Sequence, residues 1–459
     1  MASQQLNIVL VVLGGVRADH LSCYGYSRPT TPFLDQVARE GVRFQRSFAT
    51  ASWSLPSHAS LFTGLFPSSH GATDEHLFLA PRHALLPECL KAVGYRTAIF
   101  STDTWVSPAT GFARGVDHFD TQRLPNPILR RAQNYRRAVT DRLLRRADAG
   151  ARRTNQALLR WVGNSDQPFF AFVHYNEVGL RAHLPRPYDK KFLPQGVSEK
   201  RVHSITQRYD ESLCGCADMT EEEIAILTAR YDNGLAYVDF RAREIAEALQ
   251  RGGRWDDTLF IVTADHGEDL GAHRKVAPSW GLYDTQVRVP LIVRCPSVVP
   301  QGFVVEEFAQ SCDTMPTVLG LAGVADGARR MQGRPLIAGG RATPGPAFVV
   351  SEQFRPNLAA LRRAGRADAR PYDVRKKAIR TIREKFIWHS DEANEFYDLT
   401  ADPGETHNLI DREGGRADAL RKQLFDWLAQ LDKFEGEESV SREMGGLVRE
   451  QLRGLGHVA

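Results

Sequence analysis

The sequence predicts a mainly parallel α/β sheet with helices on both faces, followed by a smaller C-terminal α+β unit built on antiparallel strands. Three observations carry this. Short apolar runs of strand type recur along the chain. Between them lie stretches with apolar residues at three- and four-residue steps, the helical period, and such alternation means parallel strands joined by crossover helices. Beyond about residue 340 the alternation gives way to consecutive strand-like stretches and one last helix.

The first strand is read from "NIVLVVLGGVRADHLSCYGY" (7–26), where an apolar run stops at Gly14-Gly15. "TPFLDQVAREG" (31–41) is a helix with Thr31 as N-cap, Pro32 at its first position and Gly41 past its end. "YRTAIFS" (95–101), "PFFAFVHY" (168–175), "TLFIVTAD" (258–265), "VPLIVRCP" (289–296) and "AFVVSE" (347–352) are strands. Residues 221–253 form a long helix ending at Gly252-Gly253. The Gly/Arg/Ala-rich "AGGRATPGP" (338–346) marks a boundary, giving an α/β domain over 1–340 and a subdomain over 341–459. In the latter, "KAIRTIREKFIWHS" and "NEFYDLTADPGETHNLI" read as antiparallel strands, closed by the helix "RADALRKQLFDWLAQLDKF".

Composition excludes several classes. The 459 residues are 42% hydrophobic and 25% charged, an ordinary globular balance. The net charge of +4 comes from 59 basic and 55 acidic residues, too even to argue for nucleic acid as a partner. No run of 18 apolar residues exists, so no transmembrane segment is expected. The N-terminus lacks the basic region and cleavage site of a secretory signal, and a cytoplasmic location is the expectation. The six cysteines show no metal-type pairing. Cys214-Gly-Cys216 is either a redox pair or, the blander reading, two loop thiols. From Leu129 to Arg160 ten arginines face two aspartates. That segment is either a face for an acidic polymer, lipid headgroups or RNA, or a solvated helix whose arginine stems cover apolar surface; the solvated helix is expected.

Two stretches carry chemistry. "ASWSLPSHASLFTG" (51–64) sets Ser54 at the start of a helix-like run, where helix N–H groups hold anionic esters and a hydroxyl can attack. "TLFIVTADHGEDLGAH" (258–273) ends a strand in Asp265-His266, at the edge where ligands of parallel sheets collect. Adjacent Asp and His suit a divalent ion.

Taken in order with "FFAFVHYNE", "YVDFRAREIAEALQRGGRWDDTLFIVTADHGEDLGAH", "LYDTQVRVPLIVRCP", "DTMPTVLGLAG" and "EFYDLTADPGETHNL", these stretches resemble the sulfatase family of the alkaline-phosphatase superfamily, over residues 7 to about 410. The resemblance implies a doubly wound sheet with a smaller C-terminal antiparallel domain, and hydrolysis of sulfate or phosphate esters at one or two divalent cations. It places the nucleophile at Ser54 and metal ligands at Asp265 and His266. At His58 the family's oxidisable members carry an arginine, so the resemblance is to the branch with an unmodified Ser or Thr nucleophile, and His58 joins Ser54 as a catalytic candidate.

Four family positions are degenerate. The first metal carboxylates fall on Gly14 and Gly15, a histidine on Gly179, and a Lys or His on Pro278. Two remaining ligands are fewer than zinc sites use, and one carboxylate is fewer than a hard cation wants. Weak or no binding of the family's divalent cofactor is therefore expected, with chemistry impaired or altered. His183, His273 and Lys275 stand near enough in sequence to serve as replacements. The alternative is an active ester hydrolase or phosphotransferase with Ser54 as nucleophile and a rebuilt metal site. Either way the expected partner is an anionic ester, as a small molecule or a sulfated or phosphorylated polymer. Loops 101–115 and 176–220 would select it.

Overall fold

The computed structural model describes residues 5–121, 148–163, 166–180, 182–207, 219–273, 276–277, 281–324, 331–354 and 373–435. Eight strands form the large sheet: β1 (Asn7–Leu13), β2 (Val42–Phe48), β3 (Arg96–Ser101), β4 (His118–Asp120), β5 (Phe169–Tyr175), β6 (Thr258–Ala264), β7 (Leu291–Arg294) and β8 (Phe303–Gln310). Their order is β8-β2-β7-β6-β1-β5-β3-β4. All neighbours pair in parallel except β7, which runs against both β2 and β6.

β1 lies at the centre, in register with β5 and β6, so that Leu13 stands level with Tyr175 and Ala264. Its side chains alternate between two cores. Val9, Val11 and Leu13 pack toward α1 (Pro32–Glu40), α3 (Ala151–Val162) and α4 (Glu221–Arg251). Ile8, Leu10 and Val12 pack toward α2 (Ser54–Thr63) and α5 (Thr314–Leu321). A strand buried on both faces has no polar alternation, which is why its sequence is an unbroken apolar run. The doubly wound, mainly parallel architecture is as expected.

The second sheet is an antiparallel meander of β9 (Val349–Gln353), β10 (Lys376–Arg380), β11 (Glu384–His389) and β12 (Glu395–Asp398). Helix α6 (Gly414–Ala429) covers it through Ala417, Leu420, Leu424 and Leu428. Its other face meets the large sheet at Phe48 and Phe308. The run at 347–352 thus opens the small sheet.

Some local expectations are corrected. Thr31 occupies the N-cap position of α1, but its hydroxyl accepts from the Ser22 amide and reaches the Asp35 carboxylate, and caps no helix amide. The cap is Asp239 of α4, whose carboxylate accepts from the Phe33 and Leu34 amides at 3.1 and 2.8 Å. A partner 206 residues away leaves no local signature. Gly41 follows α1 for a packing reason: a Cβ there would lie 2.3 Å from the Val293 carbonyl oxygen. Helix α4 does carry a local signal, a capping box between Thr220 and Glu223. Strands β2, β4 and β8 were not anticipated; β8 exposes Phe303 and Val304 and lacks a continuous apolar run.

Of the arginine-rich segment, residues 151–160 lie on α3, while 129–147 fall outside the described residues, as do Cys214, Cys216, Lys275 and Pro278. Among the described residues, no helix is long and apolar enough to cross a membrane.

Candidate functional site

The carboxyl ends of β1, β5 and β6 and the start of α2 converge on a cleft of about 280 Å3 lined by Gly14, Gly15, Ser54, Asn176, Gly179, Asp265, His266 and Glu268. A larger groove of about 950 Å3 lies between α3 and α4, among Arg152, Arg186, Tyr188 and Phe240, and holds none of these groups.

β1 delivers the glycines into a locked turn. Gly14 N–H donates to the Tyr175 carbonyl at 2.8 Å, continuing the β1–β5 ladder. Gly15 has φ of +73°, where a side chain is disfavoured. The Tyr231 hydroxyl of α4 donates to the Gly15 carbonyl and accepts from the Arg17 amide, each at 2.8 Å. Gly15 N–H is thereby turned toward Asp265 and donates to its Oδ1 at 3.0 Å.

Asp265 is the hub. Its Oδ1 also accepts from the His266 amide at 2.8 Å, and its Oδ2 from the Ser54 hydroxyl at 3.0 Å. The Ser57 hydroxyl bonds its carbonyl. Burial alone would push this carboxyl up. The imidazoles of His266, His58 and His174 and the Gly15 amide outweigh burial and hold it down at about 2. His266 Nε2 stands 3.4 Å from Asp265 Oδ2, while its Nδ1 faces the Gly267 carbonyl at 2.8 Å.

Ser54 is the first residue of α2, so the positive end of that helix's dipole faces the cleft. His58 lies one turn deeper and is fully buried. Its Nδ1 meets the Ser54 carbonyl at 2.7 Å, and the ring packs edge-on against His174, centroids 5.2 Å apart. His174 comes from β5, where burial holds its imidazole down at about 4 even with Asp103 Oδ2 at 4.0 Å.

The loop after β5 is set by a missing side chain. A Cβ at Gly234, midway along α4, would lie 2.7 Å from Val178 Cα and 2.8 Å from the Glu177 carbonyl oxygen. The loop therefore rests directly on the helix backbone, which brings Asn176 and Gly179 to the cleft wall. Glu177, beneath it, accepts from the Ala151 amide, and burial pushes its carboxyl up to about 8.

Of the sequence candidates, the structure gathers Ser54, Asp265, His266, Gly14, Gly15 and Gly179 around one cleft and places His58 behind it. Two proposed replacements lie elsewhere. His183 is exposed and outside the cleft lining. His273 is held by Asp269 at 2.6 Å, stacks on Tyr283 at 3.7 Å and reaches the Gly404 carbonyl. His174, Asn176 and Glu268 escaped sequence reasoning. The signal for His174 was present: an imidazole inside a strand apolar on both faces is a buried polar group in want of a partner.

The fold and cleft define an α/β scaffold that collects a hydroxyl, a carboxylate and imidazoles at the carboxyl edge of a parallel sheet. The chain belongs to the sulfatase family: the family model described as Sulfatase matches residues 6–324. It is 26% identical to the multifunctional alkaline phosphatase superfamily protein PehA of Trinickia caryophylli, over 88% of this chain and 91% of that one. It is 24% identical to an arylsulfatase of Clostridium perfringens, over 94% and 95%. A Δ4,5-hexuronate-2-O-sulfatase of Bacteroides thetaiotaomicron is also 24% identical, over 86% and 83%. The phosphonate monoester hydrolase of Agrobacterium radiobacter shares the fold, with a TM-score of 0.75, 22% identity, and 93% and 96% of the two chains covered.

The divalent ion of this family does not fit the residues at the end of β1. Gly14 and Gly15 offer no side-chain donor, and a side chain at 14 would be tightly confined. A Cβ there would lie 3.0 Å from Asn176 Oδ1 and 3.1 Å from both His174 Nε2 and the Tyr175 carbonyl oxygen. Asp265 Oδ1 is committed to two amides.

Proposed function

We propose that this protein holds an anionic ester in the Ser54 cleft but is impaired in the hard-cation-dependent ester hydrolysis of its family. The single observation that carries this is the turn at Gly14-Gly15, which gives Asp265 a backbone amide where a shared metal ion would join two carboxylates. The helix N-terminus at Ser54 supports retention of an anion. Relatives named for sulfated sugars support a sulfate or phosphate ester, free or carried on a polymer. Losing an ion that stabilises charge and activates the nucleophile removes several kcal/mol, three or more orders of magnitude in rate at ~1.4 kcal/mol per tenfold.

The test is turnover of aryl sulfate and aryl phosphate esters by the purified protein with excess Mg2+ or Ca2+. Rates near the uncatalysed background support the reading. Rapid turnover abolished by Ser54→Ala overturns it. The second reading, an active hydrolase or phosphotransferase with Ser54 as nucleophile, is favoured by one observation, the Ser54 hydroxyl bonded to a carboxylate in the cleft wall.

A further inference from the structure

Behind the cleft, His58, His174 and Asp265 are each fully buried, and one ligand atom of each lies within 4.8 Å of the other two. We propose that these three residues form a binding site for a borderline transition-metal cation of the Zn2+ class, distinct in ligands from the lost pair at Gly14 and Gly15.

Hydrogen bonding points the same way as proximity. His58 Nδ1 faces the Ser54 carbonyl oxygen at 2.7 Å, so Nδ1–H donates there, and Nε2 is the ring nitrogen without a protein partner among the described residues. Backbone carbonyls fix ligand histidines in this manner in metal sites. His174 meets Thr102 Oγ1 through Nδ1 at 3.4 Å. Among the described residues neither His58 Nε2 nor His174 Nε2 has a hydrogen-bond partner, although both are buried. Leaving a buried polar atom unpaired costs about 1–3 kcal/mol, and here two lie in adjacent rings. Asp265 completes the set: among the described residues Oδ1 accepts from two amides, whereas Oδ2 accepts one hydrogen bond, from Ser54, with His266 Nε2 at 3.4 Å.

Two imidazoles and one carboxylate are the donor set of three-ligand zinc sites, which keep a fourth position open. Nitrogen ligands favour Zn2+, Co2+ or Ni2+ over Mg2+ and Ca2+, which want oxygen. Gly14 gains a second meaning. It lines the cleft, and a Cβ there would stand 3.1 Å from His174 Nε2, so a side chain at 14 would crowd that nitrogen on the cleft side. Tetrahedral bonds of ~2.0–2.1 Å would draw the three ligand atoms closer together than they stand here.

The test is stripping the full chain with a chelator and titrating it with Co2+ and Zn2+, following the visible band of tetrahedral Co2+ and the binding heat. One equivalent of Co2+, displaced by Zn2+ but not by excess Mg2+, supports the proposal. His58→Gln and His174→Gln should each weaken binding by more than about 100-fold, beyond what loss of an outer partner costs. His118→Gln, on β4 and outside the cluster, should leave it within about tenfold. Absence of a Co2+ spectrum in the unmutated protein overturns the proposal even if the variants fail to fold. Binding that depends on His266 and not on His174 overturns it too. Neither readout involves ester turnover, so this site and the proposed function fail separately.

Discussion

The Ser54 hydroxyl donates to Asp265 Oδ2 across 3.0 Å, joining the start of α2 to the end of β6 over 211 residues of sequence. That bond keeps the hydroxyl of an unmodified serine in place beside a carboxylate. Ser54 is expected to remain serine, because His58 stands where the resemblance requires an arginine for oxidation. Peptide mass spectrometry of residues 47–82 should show no aldehyde at position 54. A formylglycine there would return the chain to the oxidised sulfatases.

Restoring carboxylates should restore part of the hard-cation site at a cost. Gly14→Asp must push aside Asn176 Oδ1, His174 Nε2 or the Tyr175 carbonyl, all within 3.1 Å of the new Cβ. We expect a loss of about 1–3 kcal/mol in unfolding free energy. Gly15→Asp meets more room, with Glu268 Oε2 at 3.8 Å, but must hold φ near +73°, costing about 1–2 kcal/mol. Calorimetric titration with Mg2+ or Ca2+ should show tighter binding by the double variant than by the parent, and urea unfolding should show the stability loss. Unchanged affinity would mean that the new side chains turn away from Asp265.

The seam between the two sheets rests on a buried charge cluster. Lys385 of β11 is 1% exposed and pairs with Asp284 at 2.9 Å and with Glu405 at 2.6 Å. Lys385→Met should lower stability by about 3–5 kcal/mol, because it leaves two carboxylates in low dielectric with Arg380 as the nearest remaining cation. Chemical denaturation would measure it. A loss below about 1 kcal/mol would show that water reaches the seam.

His70 gives a pH dependence. It is fully buried, and burial holds its imidazole down at about 3. As pH falls below about 6.5 the unfolded chain takes up a proton that the native imidazole refuses. Stability is therefore full above pH 6.5 and declines by up to about 1.4 kcal/mol per pH unit on the way to 3. His70→Gln should flatten the slope of unfolding free energy between pH 7 and 5. An equally steep slope in the variant would assign the effect to other groups.

The fold was legible because buried strands and amphipathic helices write their periods locally: β1, β5 and β6 are plain apolar runs, and α4 carries its own cap. Likewise Ser54, Asp265 and the two glycines sit at strand ends and a helix start that sequence patterning locates. What sequence could not convey is depth and contact. His58 is four residues from Ser54 in the chain yet behind it in space, and His174 becomes its neighbour only when β5 pairs with β1. Nor could Gly234 announce that it seats a loop on a helix backbone.

The antiparallel setting of β7 has its own consequence. A parallel crossover would carry the chain from the end of β6 back to the far rim of the sheet before the next strand began. Because β7 reverses, the chain re-enters the sheet from the rim it left, and the described residues between Asp265 and Pro290 belong to one connection on that rim. This connection holds Asp265 and His266 at its root, while His273, Tyr283 and Asp284 along it fasten to the small sheet or its flanking loop. Substitutions along it, between those anchors, would reshape the mouth of the cleft while the eight strands of the large sheet keep their registers. One inverted strand thus separates how the mouth is shaped from how the framework is held.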